Sequence, residues 1–215
     1  YFDYIQNDAQ TTPVQWFKDL PSLPWWTSLS FHDHPPLFFL IQYLFFSIFG
    51  DSLLVARLPS VLVGIGAIYL AYLLAKRFFG GEKAGLITAL LLSINHIHIW
   101  VSRSSIFESL LTFLIFLNIY YFFRFLEDKR HWWLFGLTLG LAFLTKYTSF
   151  FLAPVYLSYW IYRTYWSDKT DKTDKTYWVY LLAAFGLALL LFSQVIIYNF
   201  YLWQTTGHFD LQFAY

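Results

Sequence analysis

Apolar residues in this chain come in long unbroken runs, with neither the strict alternation of a half-buried strand nor the narrow stripe of a soluble helix. The runs over residues 58–75, 84–101, 109–123, 132–144, 150–162 and 178–201 contain no Asp, Glu, Lys or Arg, and charges collect between them. Crossing the hydrocarbon core as a helix takes about 20 apolar residues. The shorter runs reach that length when aromatic and cationic ends extend them into the interface. The pattern predicts an all-α fold, a polytopic transmembrane helical bundle. A further run, 35–49, begins at Pro35-Pro36 and, at about 1.5 Å per residue, is barely long enough to cross. A full crossing there would invert every later helix, so it is expected to be a tilted or partly inserted segment that leaves Arg57 on the side of the opening loop.

Charge placement orients the bundle. Three basic clusters, Lys76, Arg77 and Lys83, then Arg124, Lys129 and Arg130, then Arg163 with Lys169, Lys172 and Lys175, account for ten of the 14 Lys and Arg residues. The positive-inside rule places them in the cytoplasm. The turns around Arg103, Lys146 to Ser149 and Gly207 to Asp210 alternate with them and therefore face out, as does the acidic opening loop with Asp3, Asp8, Asp19 and Asp33. Residues 1–36 are read as an extracytoplasmic first loop. Residues 167–176, built on Asp-Lys-Thr repeated, have cancelling charges and nothing apolar to bury, and are read as a flexible cytoplasmic linker.

Composition agrees with a membrane protein. The chain is 58% hydrophobic and 13% charged, against about a quarter charged in soluble domains. A formal charge of +1 gives no support to a nucleic-acid partner. Cysteine is absent, so a metal would need His, Asp or Glu ligands. The chain opens on Tyr1 inside what reads as a functional loop, and is expected to be a single transmembrane domain, 1–215, truncated at both ends.

Outside the cytoplasmic clusters only Lys18, Arg57, Arg103 and Lys146 remain among the cations, and the last three border apolar runs on the outer side. A charge at that depth suggests a functional partner, and a lipid phosphate held at the interface by its own tail is a natural one; snorkelling is the plain alternative. Glu108, near the start of a helix, suits first-turn capping or an ion pair with Arg103. Asp3 and Asp8 stand in the loop, and His32, Asp33 and His34 with His208 form a weak set of candidate metal ligands, since neighbours on an extended chain point in opposite directions. Pro35 and Pro36 fix the backbone behind His34. His96 and His98 are expected at the headgroup level. The Phe residues are read as core.

Several stretches, taken in order, carry a resemblance: Asp8-Ala9, His34-Pro35-Pro36-Leu37, Gly50, Ala56-Arg57-Leu58-Pro59-Ser60, Ala75-Lys76-Arg77-Phe78-Phe79-Gly80, Ser102-Arg103 and Gly140-Leu141-Ala142-Phe143-Leu144-Thr145-Lys146-Tyr147. Together they resemble the protein O-mannosyltransferase superfamily, which includes lipid A aminoarabinose transferases. The resemblance implies part of a type C glycosyltransferase fold with an extracytoplasmic active site that binds a polyprenyl-phosphate sugar, in a bacterial or archaeal plasma membrane. It matches the family's first-loop aspartate to Asp8, with Asp3 as a competing alignment because Ala9 replaces the usual acidic neighbour. It matches the pre-proline position to His34, the later helix-start acid to Glu108, and the Lys after the Gly-rich helix to Lys146. In relatives that carry a divalent metal, the implied ligands are Asp33 and His208.

The activity implied by this resemblance is that of a hexosyl- or pentosyl-transferase of the cell envelope. Asp8 or Asp3 acts as base toward an acceptor hydroxyl on a lipid, glycan or protein, in a displacement that inverts the anomeric centre. Arg57, Arg103, Lys146 and His34 hold the departing phosphate, with a divalent metal as an optional addition. The rival class is a transporter or flippase of lipid-linked sugars, which needs the same cations but no base.

Overall fold

The structure, a computed structural model, describes residues 24–30, 34–165, 175–207 and 209. Among these no strand forms. After a 3-10 turn at Trp25–Leu29, the helices are α1 (Leu37–Phe49), α2 (Leu53–Phe78), α3 (Glu82–Ser93), α4 (His96–Arg103), α5 (Phe107–Glu127), α6 (Trp132–Phe143), α7 (Leu152–Tyr165) and α8 (Lys175–Thr206). Helices α2, α5 and α8 are each long and apolar enough to cross a membrane, and the α3–α4 pair adds a fourth span if counted as one. The chain is an integral membrane protein, as its runs predict.

Local chemistry sets the helix ends. Ser52 caps α2 by accepting the Val55 N–H at 3.3 Å. Gly80 and Gly81 turn the chain after α2 at φ of 76° and 131°, values that a side chain would strain. The run 84–101, expected to be one helix, is broken: α3 and α4 meet at 61°. Asn95 causes the break by starting a new helix, its side chain accepting the His98 N–H at 2.9 Å. The partly buried His98 then turns toward α2, its Nε2 lying 3.3 Å from the Gly64 carbonyl. The linker is also shorter than expected, because Lys175 and Thr176 open α8. The rest of that tract lies outside the described residues.

The main core is aromatic and lies among α5, α6, α7 and α8, where Phe122, Phe125, Phe135, Phe143 and Trp160 are buried. In lipid there is little hydrophobic force between helices, so close backbone approach and hydrogen bonds hold them. Gly136 and Gly140 of α6 provide the first, lying against Ala184 and Ala188 of α8. Asn118, fully buried, provides the second: it donates to the Phe135 carbonyl at 2.9 Å and Thr138 Oγ1 at 2.8 Å, and accepts from Tyr156 at 2.7 Å, tying α5 to α6 and α7.

Helix α1 lies across one end of this bundle. Its Leu37 N–H donates to the Leu144 carbonyl after α6 at 3.0 Å. Phe38 packs with Leu110, Leu114 and Ala142. Gln42 reaches Ser105 at 2.7 Å, just before α5. Every one of these partners sits near the same end, so α1 returns the chain to the end where it began, and Arg57 shares that end with His34 and Lys146. The opposite end carries Arg77 paired with Glu127 at 3.0 Å, and Asp128, whose carboxyl is held below the usual range chiefly by the Arg130 backbone N–H.

Candidate active site

The site is organised by the loop from Ser104 to Ile106, which ends α4 and starts α5. Ser105 sits at φ 54°, an uncommon conformation for a residue with a side chain. It is pinned there from two sides: its hydroxyl donates to the Ala56 carbonyl at 2.5 Å and accepts from Gln42 Nε2 at 2.7 Å. Ser60 of α2 donates to the Ile106 carbonyl at 3.4 Å. These bonds fix Arg103 on one side of the loop and Glu108 on the other.

On the Glu108 side, Lys146 Nζ lies 3.0 Å from Glu108 Oε1 and 4.8 Å from the centre of the Phe107 ring. His34 packs on the same ring, centroids 4.5 Å apart. Lys146 is held at its base by a 3-10 turn, Tyr147–Phe151, and by Ser149, which donates to the Lys146 carbonyl at 2.7 Å. Phe107 is thus a shared wall for an ammonium and an imidazole, with a carboxylate fixing the ammonium's position. The ion pair with Arg103, one of the two ordinary roles open to Glu108, does not form; Glu108 takes Lys146 instead because helix α6 delivers the Lys to the first turn of α5.

On the Arg103 side, Arg57 and Arg103 line one cavity of about 450 Å³ with His96, Trp100 and Ser104. Both guanidiniums are exposed, and the bend between α3 and α4 is what opens the space, since Ile94 and His96 flank it. Two guanidiniums on one cavity wall are a donor set suited to an oxyanion such as a phosphate.

The structure therefore brings His34, Glu108 and Lys146 together, gathers Arg57 and Arg103 beside them, and puts both groups at one end of the bundle. Asp3, Asp8, Asp33 and His208 lie outside the described residues. Among the described residues no cluster of three His, Asp or Glu side chains has metal-binding geometry. Sequence reasoning missed Phe107, Gln42, Ser105, His96 and Trp100 as parts of the site. Gln42 carried a signal, being an isolated amide in an apolar helix; Ser105 carried none, because its role rests on a backbone angle.

Residues 33–198 match the dolichyl-phosphate-mannose-protein mannosyltransferase family. The chain belongs to this family. The match to the mannosyltransferase family takes in His34, Arg57, Arg103, Glu108 and Lys146 and begins after Asp3 and Asp8. An uncharacterized protein of Aquifex aeolicus is 34% identical over 122 residues, 56% of this chain and 24% of that protein. Two Bacillus subtilis proteins are also similar: "Putative mannosyltransferase YycA", 32% identical over 60% of this chain and 19% of its own length, and "Putative mannosyltransferase YkcB", 29% identical over 60% and 18%. The chain thus aligns with about a fifth to a quarter of the length of these curated relatives. No solved structure matches the chain.

Proposed function

We propose that this chain is part of a membrane glycosyltransferase that moves a sugar from a polyprenyl-phosphate donor to an acceptor hydroxyl at the extracytoplasmic face. The observation that carries this reading is the gathering of Arg57, Arg103, Lys146 and His34 at one end of a bundle of the mannosyltransferase family, opposite the basic clusters that mark the cytoplasmic end.

In this reading the donor phosphate rests between Arg57 and Arg103 at the mouth of their cavity, with its lipid tail in the bilayer. A loop carboxylate, Asp8 or in the alternative Asp3, takes the proton of the acceptor hydroxyl. The acceptor oxygen bonds to the anomeric carbon as the bond to the phosphate oxygen breaks, the electron pair leaves on the phosphate, and the anomeric centre inverts. The cations stabilise the phosphate more as its charge grows, which is where their contribution to rate lies. Glu108 acts through Lys146, holding the ammonium against Phe107. A metal held by Asp33 and His208 would add Lewis-acid stabilisation of the same phosphate.

Full-length protein in nanodiscs with radiolabelled polyprenyl-phosphate sugars tests the reading. Transfer to an acceptor is expected; Asp8→Asn abolishes it while donor binding persists, and Arg57→Gln with Arg103→Gln raises the donor KM. Movement of the labelled lipid between leaflets with no transfer overturns the enzyme reading in favour of transport.

A further inference from the structure

At the basic end of the bundle, away from the candidate active site, the C-terminal turns of α2, α5 and α7 frame a groove of about 460 Å³. Its walls are Arg77 and Phe78 from α2, Tyr159, Tyr162 and Arg163 from α7, and its floor is Phe123 and Glu127 from α5. We propose that this groove binds the phosphodiester headgroup of an anionic phospholipid.

The case is electrostatic first. Three helix C-termini meet here, and their dipoles repel an anion, so an arginine set is needed to make the groove attractive. Arg77 is fixed within it by stacking on Phe123, 5.3 Å from the ring centre, and by Glu127 at 3.0 Å. One carboxylate uses part of a five-donor guanidinium and leaves the remaining N–H groups to a second oxyanion. Glu127 also takes Arg124 at 3.4 Å, so its charge is shared between two guanidiniums, and among the described residues that line the groove Arg77 and Arg163 face this one carboxylate.

The walls then select a lipid over a free anion. Tyr159 and Tyr162 are of the aromatic type that sits at the headgroup level, and Phe78 and Phe123 complete an apolar wall beneath them. Val155, Tyr159 and Tyr162 follow i, i+4, i+7 along α7 and are all exposed, so the same helix face continues from the groove into the spanning zone as an apolar track for an acyl chain. Basic pockets between transmembrane helices at a cytoplasmic face suit anionic headgroups for these reasons.

The test uses full-length protein in nanodiscs of phosphatidylcholine with or without phosphatidylglycerol. Phosphatidylglycerol is expected to raise the melting temperature, and Arg77→Gln with Arg163→Gln to cut the preference for it by roughly tenfold to thirtyfold. Arg130→Gln removes one charge from the same end but from a side chain that is 89% exposed and outside the groove, and should leave the preference intact. A photoactivatable phosphatidylglycerol should label peptides containing Tyr159 or Tyr162 in the unmutated protein, a readout that needs no variant to fold. An equal response of the double variant and the unmutated protein, labelling confined to other helices, or an equal shift from inorganic phosphate alone would each overturn the proposal.

Discussion

Replacing Gly136 by Ala should loosen the bundle, whereas the same replacement at Gly186 should not. A Cβ at Gly136 would lie 2.6 Å from the Ala184 carbonyl oxygen and 2.9 Å from its Cα. Ordinary contact begins near 3.4 Å, and the obstacle is backbone, so α6 and α8 must separate by about 0.8 Å. A gap of that size forfeits about a quarter to a half of each atom pair's attraction of about 0.1–0.2 kcal/mol. Over on the order of fifty pairs around this crossing, the loss is about 1–5 kcal/mol. The better helix propensity of Ala offsets roughly 1 kcal/mol. The net cost of about 0–4 kcal/mol is centred on the roughly 1–3 kcal/mol that overpacking costs in tight cores. Gly186, on the exposed face of α8, has nothing within 4 Å of the same added atom, so it keeps only the propensity gain. Thermal unfolding of full-length protein in mild detergent, followed by tryptophan fluorescence, should show Gly136→Ala melting several degrees below the unmutated protein and Gly186→Ala at or slightly above it. The reverse order would refute the close crossing of α6 on α8.

Asn118→Leu should cost about 2–5 kcal/mol, because three interhelical hydrogen bonds are lost at roughly 0.6–1.7 kcal/mol each, whereas Tyr156→Phe should cost only one of them; equal melting of the two variants would argue against the shared network. Lys146→Met and Glu108→Gln should each lower transfer sharply, and their effects should be strongly non-additive in a double-mutant cycle, since either change removes the same pair; additive losses would separate the two roles. In a cysteine-free full-length background, cysteines at Asp51, Ser104 and Thr148 should react with an external impermeant reagent while those at Lys83 and Arg130 should not, and labelling of residue 104 only from the cytoplasm would break the single-face site.

The fold was legible in the sequence wherever length and charge decided it. Each of the six runs became helical, because a segment without ionisable side chains in a bilayer must satisfy its backbone internally. What escaped was whatever depended on a single polar residue inside an apolar run. Asn95 divides 84–101 because its amide competes for backbone N–H groups as a cap, and the same residue type at Asn118 leaves α5 unbroken because its side chain is used up by α6 and α7. Nothing local to either residue distinguishes the two outcomes; the neighbours do. The short α1 is the opposite case, where run length alone, too small for a comfortable crossing, anticipated a helix that stays at one end.

The site divides along the same line. Arg57, Arg103, Glu108 and Lys146 stand out in sequence as charges bordering apolar runs, and that cost of placing charge near lipid made them visible. Their partition into two groups was not visible, because it is set by which helix end each loop reaches. Lys146 meets Glu108 only because α6 ends beside the first turn of α5, and Arg57 shares a cavity with Arg103 only because the chain bends at Asn95. The consequence for mechanism is that the four cations are not equivalent. Lys146 has a carboxylate at 3.0 Å, which already neutralises much of its field. Arg57 and Arg103 are exposed in a cavity lined, among the described residues, by no acid, so a phosphate arriving there meets two guanidiniums without a carboxylate paired to them as Glu108 is to Lys146. Loss of either arginine should therefore weaken donor binding more than loss of Lys146, while loss of Lys146 should fall more heavily on kcat. Measuring KM and kcat separately for Arg57→Gln, Arg103→Gln and Lys146→Met decides this, and a larger KM effect for Lys146→Met than for both arginine variants would reverse the assignment.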